Sequence, residues 1–287
     1  MLKNPPVDAV KMAIARGRLA TPGGEAATSA EALTKAAVEA LGGMKRFISR
    51  GDVVVVKPNI GWASLPQLGA NTHPGVVGEV VRMCLDAGAK RVVVTDVSCN
   101  DYKICFSRSG IKEAALKADA LVIEPSSPRR FKEMKMRDTE VLKRWPIFTP
   151  LVEADKVINV PVAKHHNLTK FTGAMKNWYG ILGGTRNQLH QAIDLSIADL
   201  ATFVRPTLTV VDATRVIIRN GPQGGSLRDV VPKGIVFATT DEVAADSFGA
   251  SLLGLTPDAL PYLALGEKRG LGVADYKKLA PKEVTVS

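Results

Sequence analysis

Between Lys164 and Gly180 the chain places three lysines and two histidines within seventeen residues: Lys164-His165-His166-Asn167-Leu168-Thr169-Lys170-Phe171-Thr172-Gly173-Ala174-Met175-Lys176-Asn177-Trp178-Tyr179-Gly180. Such groups offer anion binding and proton transfer. A lysine pairs with phosphate or carboxylate, and one stripped of water can act as a base or an imine-forming nucleophile. Lys164, Lys176 and Asn177 are the candidate catalytic residues. Gly180, Gly183 and Gly184 follow and allow the backbone to approach a ligand closely. The plain alternative is an exposed lysine on a helix turn. His165 and His166 point to opposite sides of an extended segment, so only one can join a given site. His166 and His190 are the candidate ligands of a divalent metal, with His73 and Asp96 or Asp212 as further donors. No two histidines show local ligand spacing, so the sequence does not demand a metal.

These groups need strands to present them. The apolar run Val157-Ile158-Asn159-Val160-Pro161 reads as a buried strand just before the cluster, and open α/β sheets hold ligands at strand carboxyl ends. A second such end is expected where Asp52 to Lys57, a nearly continuous valine strand, runs through a helix after Thr72 to the strand Arg91 to Thr95. That unit gathers Lys57, Asn59, Thr72 and Asp96, the candidate substrate-binding residues. Gly221 and Gly224, in Gly221-Pro222-Gln223-Gly224-Gly225, complete the set as a backbone nest for an anion, or else as a tight turn. The segment lacks the lysine and hydroxyl of a P-loop. No Gly-x-Ser-x-Gly elbow occurs, and Cys105 reads as a packing residue.

The rest of the chain alternates strand and helix patterns. Expected are a strand from Ala9 to Ala15, a helix from Ala30 to Leu41 with a Thr28/Glu31 capping box, and a helix capped by Thr72 that stops at Gly88. A short helix from Ser109 or Gly110 to Ala118, a strand from Leu121 to Glu124, and a helix from Pro146 to Ala154 follow. A helix from Asn187 to Phe203 carries His190 and Asp194 on one face, and the strand Thr207 to Val211 ends at Asp212. Gly234 to Ala238 and the helix Glu242 to Leu253 precede a short helix and a polar tail. The fold class is α/β, a largely parallel sheet flanked by helices, in one unit over 1–287 with a lobe boundary near 146–156.

With 287 residues, 46% hydrophobic, the chain can bury a large core. No apolar run reaches the roughly 20 residues of a membrane span. The net charge of +10 favours an anionic ligand. Nucleic acid is not the preferred partner: Arg129 to Arg144 alternates charged and apolar residues as an exposed β-ribbon does, without an accompanying nucleic-acid signature. Cys84 reads as a core residue, and the spacing of Cys99 and Cys105 fits neither a zinc ribbon nor a ferredoxin cluster. The amino terminus shows no charged-then-apolar leader, which reads as cytoplasmic for the chain as given.

Taken in order, the residues resemble domain-of-unknown-function family 362. The central string Lys-x-His-x-x-x-x-x-x-Thr-Gly-Ala-Met-Lys-Asn-x-x-Gly begins at Lys164. Lys57-Pro58-Asn59, Thr72-His73-Pro74, Cys105 to Ile111, Asp212, Gly221 to Gly225 and Asp241 to Asp246 complete the likeness, which spans roughly Val53 to Gly254. It implies that His166 is the site histidine of the adjacent pair. Some members carry an added ferredoxin-like segment that this chain lacks, so no self-contained iron–sulfur cluster is expected. Many relatives carry a twin-arginine export signal, which implies export if a signal peptide has been trimmed. A weaker, fold-level resemblance to nickel-dependent lactate racemases pairs Lys176 and His190 with the cofactor-bearing lysine and a nickel-binding histidine. The expectation is an enzyme that holds a small anionic substrate in a Lys/His-lined cleft, with metal-dependent isomerase or redox chemistry open to it. The alternative is a non-catalytic anion- or cofactor-binding module that serves a redox partner. A homo-oligomer is also left open.

Overall fold

Four consecutive valines can be buried on both faces only in the middle of a sheet, and that is where they lie in a computed structural model describing residues 10–19 and 27–287. Strand β2 (Val53–Pro58) is flanked by two parallel neighbours, β3 (Arg91–Val94) and β7 (Lys156–Val160). Val54 and Val56 join one apolar core and Val55 the other. The first core is closed by α1 (Ala30–Ala40), α2 (Pro74–Asp86), α3 (Tyr102–Arg108) and α4 (Ile111–Lys117). Strand β4 (Leu121–Val122) ends that side of the sheet.

The second core lies under four later helices: α6 (Ala174–Asn177), α7 (Ile193–Phe203), α8 (Glu242–Ser251) and α9 (Pro261–Lys268). Before them come the hairpin β5 (Phe131–Lys135) and β6 (Arg144–Phe148), the short α5 (Thr149–Val152), and the small pair β8 (Lys164–His166) and β9 (Lys170–Thr172). With β1 (Met12–Gly17), β10 (Leu208–Ile217), β11 (Val230–Thr239) and β12 (Lys282–Val286), the main sheet has the order β12-β1-β11-β10-β7-β2-β3-β4. Only β11 runs antiparallel to its neighbours β1 and β10, so the sheet is largely parallel, as its apolar strands require. Among the described residues no helix is long and apolar enough to cross a membrane.

Several sequence expectations shift. The first strand starts at Met12, and Ala9 lies outside the described residues. Helix α1 is capped by Ser29, which accepts from Ala32 N, while Thr28 binds Arg18 N and Val286 O instead. Helix α2 is capped by the His73 ring, because the Thr72 hydroxyl is drawn inward to Val160 O at 2.7 Å. Pro146 belongs to β6, and the helix expected there shrinks to Thr149–Val152. Residues Arg186–Ala192 form a 3-10 segment that breaks from α7, so His190 and Asp194 do not share one helix face. Strand β10 continues past Asp212 to Ile217 by pairing with β11, and the polar tail is an edge strand, β12, parallel to β1.

The basic ribbon is a real hairpin, tied to the body by Trp145 Nε1 donating to Gly183 O (2.8 Å) and Gly183 N donating to Pro146 O (2.9 Å). Its turn is fixed by buried Asp199 on α7, which accepts from the amides of Glu140, Val141 and Leu142 at 2.7–2.9 Å and from Arg269 at 2.8 Å. Removing the carboxylate strands three amides and takes one of its partners from Arg269, which keeps Glu140 and Thr202. Asp199→Ala is therefore expected to destabilise the chain by about 3 kcal/mol in denaturant unfolding. A loss under about 1 kcal/mol would show that the turn does not depend on Asp199.

Candidate functional site

The chain leaves the carboxyl ends of β2, β3, β4 and β7 through four polar segments, and together these wall a cleft of about 1050 Å³. Asn59, Gly61 and Trp62 follow β2; Asp96, Ser98 and Cys99 follow β3; Lys164 and His166 follow β7. Lys176, Asn177, Arg186 and His190 add to the polar lining. Seven of the expected residues thus meet in one place: Asn59, Asp96, Lys164, His166, Lys176, Asn177 and His190. Lys57, Thr72, Gly221 and Gly224 do not line the cleft. Lys57 lies beneath it, fully buried, and Thr72 braces β2 against β7 through Asn59 N and Val160 O. Gly221 passes close to the His165 backbone and sets Pro222 at the rim, and Gly224 packs on Ile217 and Leu68. Asp212 and His73 serve the start of α2, where the Asp212 carboxylate accepts from His73 N and Arg215.

Below the cleft floor sits a buried ion pair, Lys57 Nζ to Asp96 Oδ1 at 2.7 Å. Burial lowers the Lys57 pKa, against the pull of Asp96. The other Asp96 oxygen accepts from Ile60 N at 2.6 Å, which fixes the turn after β2. Gly180 covers the pair, and a methyl group there would collide with Asp96 and lie 2.7 Å from Lys57 Nζ.

Beside the pair runs a chain of hydrogen-bonded side chains. Glu242 Oε1 accepts from Asn159 Nδ2 at 2.6 Å, and Asn159 Oδ1 accepts from Asn177 Nδ2 at 2.7 Å. Asn177 Oδ1 then accepts from Asn59 Nδ2 at 3.3 Å, and Asn59 Oδ1 faces Lys164 Nζ at 3.4 Å. The carbonyls of Ala174 and Lys57 accept from Asn159 Nδ2 and Asn177 Nδ2, and the Lys164 nitrogen donates to Asn59 Oδ1, so the orientation of all three amides is set. Burial raises the Glu242 carboxyl to about 7, opposed by bonds from Trp178, Asn159 and Thr209. Asp246 is raised to about 8, also by burial, and its oxygens hold the amides of Ala174 and Met175 at the start of α6. That fixes the turn from which Lys176 and Asn177 project.

The two lysines and two histidines of the cleft hold their protons differently. Lys164 is 2% exposed and donates to Ala70 O; burial lowers it to about 7. Lys176 is lowered to about 8, first by burial, and its ammonium lies 4.6 Å from the Tyr179 ring centre. The His166 Nδ1 accepts from the amides of Leu168 (3.1 Å) and Thr169 (3.3 Å), so its proton resides on Nε2. Burial, then Lys176 and Lys164, lower this histidine to about 2, which makes it a neutral donor. His190 is the reverse: Nδ1 lies 3.0 Å from Asn187 O, a carbonyl that can only accept, so Nε2 has the free lone pair. Burial and Lys176 lower its pKa as well.

This donor set does not make a cage for a divalent ion. The His166 lone pair is taken by backbone amides, and among the described residues no three His, Cys, Asp or Glu side chains group as metal ligands. Residues that sequence reasoning passed over are Asn159 and Glu242, which orient Asn177, and Arg186. The Arg186 guanidinium donates to the carbonyls of Val97, Ser98 and Tyr179 at 2.7–2.9 Å and reaches Cys99 Sγ at 3.3 Å. Its partners are carbonyls brought together by the fold, which no local motif announces. Glu242 lay within the quoted Asp241 to Asp246 string but read only as the start of a helix.

The profile of a family described as "Domain of unknown function (DUF362)" matches residues 54–251. A thylakoid-associated protein of Synechocystis sp. is 26% identical over 242 residues, covering 82% of this chain and 73% of the relative. Among solved structures, a structural-genomics protein from Thermotoga maritima aligns over 79% of this chain with a TM-score of 0.47 and 12% identity. The lactate racemase apoprotein from Thermoanaerobacterium thermosaccharolyticum aligns over 85%, with a TM-score of 0.40 and 12% identity. The chain spans 59% and 60% of the lengths of those two structures.

Burying Lys164 has a pH signature. Its folded pKa of about 7 lies below the ordinary lysine value of 10.5, so between these values the unfolded chain binds more protons and stability rises with pH. Lys164→Met removes this dependence. The variant should gain most stability over the parent near pH 7 and below, and the gain should shrink as pH rises toward about 10. A difference in unfolding free energy that stays flat with pH would show that Lys164 keeps an ordinary pKa.

Proposed function

The chain belongs to the DUF362 family, and from that premise we propose that it is an enzyme that binds an anionic substrate in the Lys/His-lined cleft and moves a proton on it. The observation that carries this reading is an imbalance of charge. Lys164, Lys176 and Arg186 face the cleft, whereas its one carboxylate among the described lining residues, Asp96, is committed to Lys57. Lys176 in particular has the Tyr179 ring, and no carboxylate, as its neighbour among the described residues. A half-buried ammonium without a counter-ion is most readily satisfied by an anionic ligand.

The roles follow from the protons each group holds. Lys176 and Lys164 bind the anion as ammonium groups. His166 donates its Nε2 proton to an oxygen on the substrate, a neutral imidazole being suited to stabilise developing negative charge without giving up its proton outright. His190 Nε2 is the acceptor, and the lowered pKa of Lys176 gives it a second, conditional acceptor role. This arrangement suits isomerisation through removal and return of a proton beside a carboxylate or phosphate-bearing carbon. No step depends on a metal. The second reading, a non-catalytic anion- or cofactor-binding module for a redox partner, uses the same cations and leaves His190 idle.

Isothermal titration with inorganic phosphate at neutral pH tests the binding role. Lys176→Gln should weaken binding about ten-fold or more, each decade being about 1.4 kcal/mol, with circular dichroism unchanged. Full binding in that variant would remove Lys176 from the site. Solvent deuterium uptake into a panel of carboxylic acids with an acidic C–H tests the chemistry: uptake with the parent chain should disappear in His190→Ala. Anion binding without uptake of deuterium would favour the non-catalytic module.

A further inference from the structure

An anionic head group fills little of the cleft. The cleft measures about 1050 Å³, many times what a phosphate or carboxylate needs. A cleft of this size is in the range that encloses whole organic ligands. Among polar residues such as Ser126, Ser127 and Thr185, the lining also presents apolar faces: Trp62, Val97, Pro125, Phe131, Pro146 and Pro222 all face the space and all remain partly exposed. Single exposed apolar side chains are ordinary on a protein surface, but six that converge on one concavity with a cationic end make a ligand-shaped surface.

The aromatic part of this wall is held in place. The Phe131 ring packs 5.0 Å from the Phe148 ring, and it lies so close to Gly183 that a Cβ there would fall 2.6 Å from its Cδ1. Gly183 in turn receives the Trp145 indole on its carbonyl and donates to Pro146 O. The hairpin β5–β6 is thus fastened to the segment that follows Lys176 and Asn177, with a ring and three prolines, at 125, 128 and 146, turned to the cleft. Ring and proline faces are flat and best covered by another flat apolar surface.

Resting on the anion-site reading, we infer that the ligand is an anion with a flat, apolar body. Its carboxylate or phosphate lies with Lys164, His166 and Lys176, and its body lies against Phe131 and the prolines. Both head groups satisfy the same cations, and the test separates them.

The full chain is titrated calorimetrically with inorganic phosphate and phenyl phosphate, and with acetate and benzoate. In the pair whose head group fits, the ring-bearing anion should bind about ten-fold or more tightly than the bare one. The Phe131→Ala variant should bring that ratio down to about three or less. Phosphate or acetate binding with ratios near one overturns the inference and leaves the anion site standing. An undiminished ratio in Phe131→Ala overturns the assignment of the wall. If none of the four anions binds, the anion-site reading and this inference fall together. Circular dichroism checks the variant, and should Phe131→Ala not fold, the ratio in the parent chain decides alone.

Discussion

The cleft depends on a buried polar chain that must be fully satisfied: Glu242, Asn159, Asn177, Asn59 and Lys164, linked at 2.6–3.4 Å. Each amide has one donor end and one acceptor end, and the chain has a carboxylate at one terminus and an ammonium at the other. Turning any one amide around would set like ends against each other in a low-dielectric interior, at a cost of a few kcal/mol. The orientation of the groups that face the cleft is therefore set by Glu242 on α8 together with the carbonyls of Ala174 and Lys57, which accept from Asn159 and Asn177. The Lys57–Asp96 pair beneath does related work for the turns after β2 and β3. Such pairs add little net stability, because desolvation offsets attraction, but they are costly to break. Their contribution here is geometric.

The same burial that makes this network rigid prepares the cleft chemically. Lys164 and Lys176 are lowered to about 7 and 8 because desolvation outweighs the attraction of neighbouring groups. Burial and the nearby lysines hold His166 neutral, and the backbone group that meets each Nδ1 decides which ring nitrogen of His166 and His190 bears the proton. Local chain geometry thus assigns donor and acceptor before any ligand arrives, which is the preorganisation that electrostatic stabilisation requires.

Much of this was legible before the structure, and the misses have physical causes. Four valines and the run at Val157 to Val160 announce central parallel strands, because only there are both faces apolar. The lysines and His166 stand out by type and by position after a strand. Strand β12 was not legible, since Lys282–Val286 is a half-exposed edge whose partner, β1, is nearly the whole chain away. Thr72 looks like a helix cap until its hydroxyl is drawn inward to Val160 O, which leaves the cap to His73. Asn159 looks like a flaw in an apolar strand, and Arg186 a loop cation; both gain their meaning from partners distant in sequence.

Backbone contacts set opposite proton positions on the two cleft histidines. Nitrogen-15 NMR of the imidazoles tests this directly, because the shift of each ring nitrogen shows whether it bears a proton. His166 should be protonated on Nε2 and neutral across about pH 5 to 8, where an ordinary histidine titrates, and His190 in its neutral form should be protonated on Nδ1. A titrating His166, or the same tautomer on both rings, would contradict this assignment.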